Sequence, residues 1–447
     1  MRTMSTLIEC IVFPTFLVSL ACSQTWSGVE YLGHQNLYAS IGYNDCWGYT
    51  GPEGREYALL GVRSGASIVD ITDAPTLKEI AFIPNPSGNS DAMDIKTYRQ
   101  YAYVANDDAG GINIIDLSAL PASAHLATTY TGITHTHNIY IDTASALLYA
   151  QHDGSKAVIV LSLANPLQPV PIDSFGVQCH DIFVRDNRAY VSEGAYGTFA
   201  IYDVSVFPQP VFLGRVPLPI DGGFAHNAWL TEDGNYLMTT YETHGRKTKL
   251  WNISNPDSIY SLGEYLGPTG LAHNVHIKGN YAYISHYLDG LRIVNIADTI
   301  DLSEVAFFDS YPSTGSGYHG AWGTFPFFAS GKVVISDIET GLYVVRYPPS
   351  ITSVREKEML KDFVLHQNHP NPFNPETAIG YQLSGAGEVR LSVFDVLGRE
   401  RAVLVDREEG AGSHDVRWDA SAMPSGIYFY RLVAGGRSET KRMVLIR

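Results

Sequence analysis

A unit of about four strand-like runs repeats seven times along this chain, and its period of roughly 40 to 50 residues indicates a repeat architecture. In five copies the first run carries a histidine at the same point, as in QCHDIFV, FAHNAWL and LAHNVHI. These histidines are His137, His180, His226, His273 and His319. Because the repeat extends over most of the chain, it constrains the fold more strongly than any local pattern does.

Each unit predicts four short antiparallel strands. The histidine run is followed by runs such as RAYVSE, FAIYDVS and PVFLGRV, with turn residues between them. Four-stranded units repeated radially form a β-propeller. A linear solenoid is the alternative, but solenoids need atypical capping repeats, and the sequence shows none. We therefore expect an all-β chain with a seven-bladed β-propeller.

The two ends of the repeat region predict how the ring closes. The seventh unit ends after the run Gly341 to Tyr347, because Pro348 and Pro349 follow. The missing fourth strand has a counterpart near the N-terminus, where VEYLGH (29–34) resembles VFLGR (211–215). The sequence predicts that this N-terminal strand completes the last blade.

The third runs of the units carry a family resemblance. IVDIT, IIDLS and LRIVNI resemble the LVIVD repeat, and the opening NDCWGYTGPEGREYALLGVRSGASIVDIT is similar to the start of choice-of-anchor B proteins. The resemblance covers residues 29–347 and implies a propeller-like protein that is secreted or anchored at the bacterial surface. It implies no established reaction.

The recurring histidines are the first candidate site. In a propeller the first strand of each blade lines the central channel, so equivalent residues should form a ring, with Cys46 and Met93 in the first two blades. Asp94 and Asp181 are among the residues that follow the ring position, and His135 and His276 should face the other way. Turns expected at the same mouth add further polar residues: Asp107, Asp108, His152, Asp153, His244, His286 and Asp289.

Three interpretations of the histidine ring stay open. Each side chain could hydrogen-bond the backbone of the next blade and set its register. Imidazole and carboxylate groups also suit a divalent metal ion, and a histidine at the mouth could act as a general base. No G-x-S-x-G, phosphate-loop or H-E-x-x-H motif is present, and Asn106 to Gly111 is better explained as a turn than as a calcium loop. The aspartate and asparagine residues that end the third runs are expected to hydrogen-bond their own turns; they are Asp70, Asp116, Asp203 and Asn252.

The N-terminus predicts export. Residues 1–23 combine Arg2, an apolar run and small residues before Gln24, which is typical of a signal peptide. Acylation of Cys22 is the alternative. Without this segment two cysteines remain, Cys46 and Cys179, which fall in distant blades and are expected to be buried free thiols. We expect no transmembrane segment in the mature chain.

The C-terminal part has a different composition. A linker at 350–362 separates the propeller (24–349) from short alternating runs at 363–447, which predict a small Ig-like β-sandwich. This region resembles the type A C-terminal sorting domain of the type IX secretion system, which implies the type IX machinery as a partner; an ordinary Ig-like module is the alternative. The resemblance depends on Trp418-Asp419, on SGIY at 425–428 and on two further motifs, whose residues are Pro370, Asn371, Pro372, Phe373, Asn374, Pro375, Gly398 and Arg399.

Charge narrows the function. The first 350 residues hold 17 basic and 33 acidic residues, whereas residues 351–447 are neutral overall. So acidic a domain does not suit nucleic acid or anionic lipid. We expect a surface binding module whose ligand, a protein or a glycan, lies on the polar mouth. A metal-assisted hydrolase or lyase at the channel mouth is the alternative.

Overall fold

The computed structural model describes residues 24–152, 157–311, 313, 315–347, 363–383, 387–396, 398–410, 412–434 and 437–446. The predicted signal peptide, the acylation of Cys22, the linker at 350–362 and Asp153 lie outside these residues. The chain divides into two compact units, Met1–Ser350 and Ile351–Arg447. Each unit has its own hydrophobic core.

The first unit consists of short strands. Two precede the repeats: β1 (Trp26–Ser27) and β2 (Glu30–Gln35). The first three repeats contain β3 (Tyr43–Thr50), β4 (Glu56–Val62), β5 (Gly65–Asp70), β6 (Lys78–Pro84), β7 (Ile95–Tyr98), β8 (Tyr101–Ala105), β9 (Ile112–Asp116), β10 (His125–Tyr130), β11 (Ile139–Asp142), β12 (Leu147–Gln151), β13 (Val158–Ser162) and β14 (Val170–Phe175). The last four contain β15 (Asp181–Arg185), β16 (Arg188–Ser192), β17 (Phe199–Asp203), β18 (Val211–Val216), β19 (Ala225–Leu230), β20 (Tyr236–Tyr241), β21 (Thr248–Asn252), β22 (Tyr260–Tyr265), β23 (Val275–Lys278), β24 (Tyr281–Ser285), β25 (Leu291–Asn295), β26 (Ser303–Phe308), β27 (Ala321–Phe325), β28 (Lys332–Asp337) and β29 (Gly341–Arg346).

These strands form one antiparallel sheet per repeat, so the described part of the first unit contains seven sheets. The first strand of each sheet contacts the first strand of the next sheet, and β27 of the seventh contacts β3 of the first. The sheets therefore form a closed ring around their innermost strands, as the β-propeller prediction requires.

The N-terminal strand completes the last sheet. Strand β2 pairs antiparallel with β29, with Glu30 opposite Arg346 and Gln35 opposite Leu342. The order of that sheet is β2-β29-β28-β27. The prediction that a strand near residues 29–34 closes the ring is confirmed. Strand β1 adds a fifth strand to the sixth sheet by pairing with β26.

The core lies between the sheets. Seven clusters of buried apolar side chains fill the seven gaps between neighbouring sheets. Strands with two buried faces need apolar residues at consecutive positions, which explains runs such as β4, where all seven residues are buried. Cys46 and Cys179 are buried and unpaired, as predicted.

The polar residues that end the third strands stabilise their turns. Asp70 Oδ1 accepts a hydrogen bond from the backbone N–H of Thr72 (3.0 Å), and Asp116, Asp203 and Asn252 accept from the residue two positions ahead. This agrees with the structural role expected for them.

The second unit contains β30 (Phe363–Leu365), β31 (Glu376–Leu383), β32 (Gly387–Asp395), β33 (Glu400–Glu409), β34 (Gly412–Asp419), β35 (Gly426–Ala434) and β36 (Arg437–Leu445). One sheet has the order β30-β31-β34 and the other β33-β32-β35-β36. Both sheets contribute to one buried core that includes Trp418 and Tyr430, so the unit is a two-sheet β-structure. Its Ig-like connectivity stays a prediction. Across the described residues of both units, no helix has the length and apolar character that crossing a bilayer requires.

Candidate functional site

The innermost strands place alternate residues toward the channel. Side chains in a strand point to opposite faces in turn, and two equivalent positions in each innermost strand face the axis. The first set, here called the polar ring, consists of Asp45, Asp94, Asn138, Asp181, Asn227, Asn274 and Gly323. The second set, two residues further along, is called the aromatic layer and consists of Trp47, Lys96, Tyr140, Phe183, Trp229, His276 and Phe325. Contacts between sheets that are not neighbours, such as Trp47 with His276 at 5.9 Å and Tyr140 with Trp229 at 6.3 Å, show that the aromatic layer meets across the axis.

Four of the five predicted histidines form a continuous row at the mouth where the innermost strands begin. This histidine row is His137, His180, His226 and His273, and successive ring centroids are 4.8, 4.3 and 4.1 Å apart. Each occupies the residue before its polar-ring position. The row therefore joins neighbouring sheets, whereas the aromatic layer is where residues meet across the channel.

Two members of the row bond the backbone of the next sheet. Nδ1 of His180 lies 3.2 Å from the carbonyl oxygen of His226, and Nδ1 of His273 lies 2.5 Å from that of Trp322. The N–H at each Nδ1 donates to a carbonyl, so these imidazoles set the spacing between sheets. His137 instead places Nδ1 3.2 Å from Asp107 Oδ2.

His319 is not part of the row. Its side chain is 48% exposed, it pairs with Glu339 at 2.5 Å and it stacks on Tyr311. The equivalent residue of the seventh sheet is Trp322, because its carbonyl accepts the bond from His273. The sequence alignment placed His319 in register because GYHGAWG resembles the other histidine runs, but the histidine precedes β27 and only the hydrogen-bond register reveals the offset.

Cys46 is likewise not the ring residue of the first sheet. Hydroxyl groups at the ends of β20, β24 and β28 donate to the backbone carbonyl at the histidine position of the next sheet, and from Ser336 this carbonyl is that of Asn44 (2.6 Å). Asn44 therefore occupies the histidine position and Asp45 the polar-ring position. Met93 precedes Asp94 in the sequence, so its predicted placement stands.

Burial controls the protonation of the row. Burial lowers the pKa of His180 and of His273 to about 3, and burial together with the neighbouring imidazoles lowers that of His226. Burial also acts to lower the pKa of His137, but the hydrogen bond to Asp107 and the negative charges of Asp107, Asp181 and Asp94 together outweigh it, so the pKa is raised. His180, His226 and His273 are therefore neutral imidazoles at pH 7, whereas His137 is protonated more readily.

The polar ring concentrates charge inside the channel. Lys96 pairs with Asp94 and lies 4.0 Å from Asp45 Oδ2. Burial would lower the pKa of Lys96, but the two carboxylates raise it. Burial raises the pKa of Asp181 to about 6 although the amide of Asn227 donates to Oδ2 at 2.5 Å. One lysine thus stands among two buried carboxyl groups, those of Asp45 and Asp94, and the half-buried carboxyl group of Asp181.

A cavity of about 330 Å³ opens beyond the aromatic layer, at the mouth opposite the histidine row. Its walls include Trp47, Tyr140, Trp229 and Phe327, and Lys96 contributes a charge. The ammonium group of Lys96 lies 4.6 Å from the centroid of the Trp47 ring, an arrangement that stabilises a cation. His276, expected to face away from the histidine row, belongs to this layer and lies 4.5 Å from Trp229, ring to ring. This cavity was not predicted from the sequence. The aromatic residues two positions after the polar ring could have indicated it.

Glu242 joins two members of the histidine row. One ligand atom from each of His226, Glu242 and His273 lies within 4.8 Å of the others, and the described residues contain no second such group. His226 Nε2 is 3.9 Å from Glu242 Oε2, and burial raises the pKa of Glu242. The sequence suggested His244 for this turn, but that residue is exposed. Glu242 directly follows β20, and one acidic residue in a turn carries no signal of its own.

The other predicted turn residues are distributed among local contacts. Asp108 Oδ2 accepts from the N–H of Asp91 at 2.7 Å. His286 Nδ1 lies 2.8 Å from Asp289 Oδ2, and both side chains are buried. Asn106 Nδ2 donates to the carbonyl of Gly111 at 2.7 Å, which agrees with a turn.

The motif residues of the second unit form its edge. Phe373 is buried and exchanges backbone hydrogen bonds with the last strand, from its own N–H to Val444 O and from Ile446 N–H to its carbonyl. Asn371 Oδ1 accepts from Val444 N–H, and the carbonyl of Pro370 accepts from Thr377 Oγ1. The other motif positions Pro372 and Asn374 are exposed, and the carbonyl of Pro375 accepts from the N–H of Ala420.

The remaining motif residues lie at a turn. Gly398 has φ +73°, which favours glycine, and its N–H donates to Asp395 O. Arg399 Nε donates to Asp395 Oδ2 at 2.8 Å. A cavity of about 590 Å³ is lined by Asp395, Arg399, Arg401 and the stretch around Tyr428. Arg399 and the SGIY residues at 425–428 thus line a cavity, whereas Asn371 and Phe373 bond the last strand.

Comparison with known proteins agrees with this organisation. The family model for the secretion system C-terminal sorting domain matches residues 368–446. The LVIVD repeat model matches residues 89–131 and 269–311. Among curated proteins, none matches the chain significantly.

Solved structures with TM-scores above 0.5 show the fold alone, because their sequence identities to this chain are low. The WD40 repeats of RRP9 are 11% identical over 71% of this chain and 99% of that one, with a TM-score of 0.53. Hydrazine synthase of Kuenenia stuttgartiensis is 11% identical over 68% and 96%, with a TM-score of 0.51. PorZ, described as a surface component of the type IX secretion system of Porphyromonas gingivalis, is 12% identical over 90% of this chain and 60% of that one, with a TM-score of 0.45.

The sorting domain indicates secretion to the outer surface of a bacterium through the type IX machinery. The all-β sheets and the matched repeats support the propeller. The chain is therefore a secreted bacterial β-propeller protein with LVIVD repeats and a type IX C-terminal sorting domain.

Proposed function

We propose that the propeller is a surface-displayed binding module that takes a glycan at the mouth lined by the aromatic layer. The observation that carries the proposal is the cavity of about 330 Å³, whose volume lies in the range of small-ligand sites. The sequence pointed to the polar mouth for the binding surface. The cavity of about 330 Å³ lies instead at the other mouth of the channel, opposite the histidine row.

The lining of the cavity suits a sugar ring. The faces of tryptophan and tyrosine rings are electron-rich and attract the polarised C–H groups of a pyranose. Trp47, Tyr140 and Trp229 are all half-buried, so each ring keeps an accessible part. Lys96 and the exposed Thr143 supply polar groups at the same cavity. An apolar wall with few polar groups is the composition expected of a specific ligand pocket.

A glycan array with the purified full chain tests the proposal, followed by calorimetry on the best ligand. Trp229→Ala, which removes a stacking platform, and Thr143→Trp, which fills the mouth without removing core contacts, should each weaken binding at least tenfold. Tyr196→Ala is the control, because this exposed ring does not line the cavity. Unchanged affinity in both cavity variants would contradict the proposal, as would binding confined to peptides.

One observation favours the alternative function, a metal-assisted hydrolase or lyase. His226, Glu242 and His273 lie together at the polar mouth, and a catalytic metal site needs three protein ligands and one open position. This alternative requires turnover of a substrate, whereas the binding module requires none.

A further inference from the structure

We infer that the polar mouth holds one divalent transition-metal ion, zinc by the nature of its ligands, bound by His226, Glu242 and His273. This site is independent of the glycan cavity, since it lies at the other mouth of the channel.

The geometry is close to that of a metal site. The three ligand atoms lie within 4.8 Å of one another, and His226 Nε2 is 3.9 Å from Glu242 Oε2. Ligands about 2.1 Å from a tetrahedral zinc ion are about 3.4 Å apart. Closing the gap needs side-chain shifts of about an ångström, well within a rotation of the Glu242 carboxylate, whose side chain is 17% exposed.

His273 has the tautomer that a metal ligand needs. Its Nδ1 donates to the carbonyl of Trp322 at 2.5 Å, which leaves the lone pair on Nε2. Hydrogen bonds of this kind from the second imidazole nitrogen to a backbone carbonyl are a regular feature of metal-binding histidines, because they fix the ring orientation.

His226 carries an unsatisfied polar atom. The residue is only 2% exposed, and its Nδ1 has no hydrogen-bond partner among the described residues. Coordination through Nε2, the nitrogen that faces Glu242, would place the imidazole proton on Nδ1 and so fix the tautomer of this ring.

Glu242 is held in place from the other side. Tyr287 donates its hydroxyl proton to Glu242 Oε1 at 2.5 Å, which leaves Oε2 directed at His226. Tyr287 itself is buried and has φ +44°, a backbone conformation that residues other than glycine rarely adopt. The three residues resemble the two-histidine, one-glutamate sets of zinc enzymes in composition, and they leave a fourth position for water or a ligand group.

The test is a zinc titration by calorimetry on full chain purified without a histidine tag and stripped with EDTA. We expect about one zinc ion per chain and at least tenfold weaker binding in Glu242→Gln, which keeps the volume and the bond to Tyr287. His319→Ala is the control, because it alters an exposed histidine–carboxylate pair outside the cluster. Wild-type affinity in Glu242→Gln, or no binding to the wild type, would overturn the inference.

A second measurement does not depend on the folding of a variant. Cobalt(II) bound to the wild-type chain should show the intense visible d–d bands of a tetrahedral site with nitrogen ligands, and zinc should displace it. A weak octahedral spectrum would mean that the ion binds elsewhere and would overturn the assignment.

Discussion

The closure of the ring should depend on one buried ion pair between the last and first sheets. Lys332 of β28 places Nζ 3.0 Å from Glu56 Oε2 of β4, and the two side chains are 8% and 7% exposed. Ser330 Oγ donates to the same carboxylate oxygen at 2.7 Å, and Lys332 Nζ also donates to Thr72 O at 2.9 Å. Replacement of Lys332 by Met would leave the carboxylate buried without its counter-ion.

The distance sets the expected magnitude. Two unit charges 3.0 Å apart attract by about 5 to 6 kcal/mol at an effective dielectric constant near 20, and the cost of dehydrating both ions offsets most of this gain. Removal of one partner of a buried pair typically costs about 3 to 5 kcal/mol. We expect Lys332→Met to lower the free energy of unfolding by that amount. The double variant Lys332→Met, Glu56→Gln should lose only about 1 kcal/mol, because no charge stays buried alone.

Urea unfolding at pH 7, followed by tryptophan fluorescence, measures this effect. Five of the six tryptophans belong to the propeller, so a Trp418→Phe background restricts the signal to that unit. Lys247→Met is the matched control, since Lys247 pairs with Glu264 at 2.6 Å but its side chain is 47% exposed; its stability should stay close to that of the background. A cost below about 1 kcal/mol for Lys332→Met, or a double variant as unstable as the single one, would refute this role of the ion pair.

Three further predictions concern the row, the polar ring and the tail. His180→Ala removes the hydrogen-bond donor of the His226 carbonyl and leaves a small cavity. It should lower the free energy of unfolding, measured in urea, by about 2 to 4 kcal/mol. The variant His319→Ala, at an exposed residue, should be as stable as the wild type. Burial raises the pKa of Asp181 from 3.8 to about 6, so the native state binds the proton of this carboxyl group more tightly than the unfolded state does. The contribution of Asp181 to the free energy of unfolding therefore falls by about 3 kcal/mol as the pH rises from about 4 to 7. Asp181→Asn should remove this fall from stability measured across that range, while Asp203→Asn, at a group whose pKa is lowered by its turn, should retain it. Deletion of residues 368–446 should leave the propeller in the periplasm of a type IX-secreting host, as detected by cell fractionation, and export of the deleted form would contradict the sorting role.

Strand content and closure could be predicted from the sequence because both depend on local patterns. The repeated alternation of apolar residues identified the units, and the likeness of VEYLGH to VFLGR identified the strand that pairs with β29. The pattern recurs in every unit, so it can be recognised even though single units deviate from it. The sorting domain was equally readable, since several short motifs occur together.

The candidate site was predicted only in part. The structure brings four of the five predicted histidines into one row, and it leaves out His319, which was included because its run resembles the others. The residue at its position is Trp322, three places further on. A shift of this kind leaves the hydrophobic pattern almost unchanged, so only the hydrogen bonds between sheets decide it.

The sequence by itself determined the class of the fold, the strand that closes it, the buried thiols and the export route, because each depends on a pattern that neighbouring residues carry. Tertiary structure alone decided which side chains meet. Glu242 comes from a turn after β20, His226 from β19 and His273 from the segment before β23, and they converge because the ring brings consecutive sheets together at one mouth. In two of its copies, His180 and His273, the recurring histidine donates a hydrogen bond to the next sheet, and at the pair of His226 and His273 one turn places Glu242 beside the imidazoles.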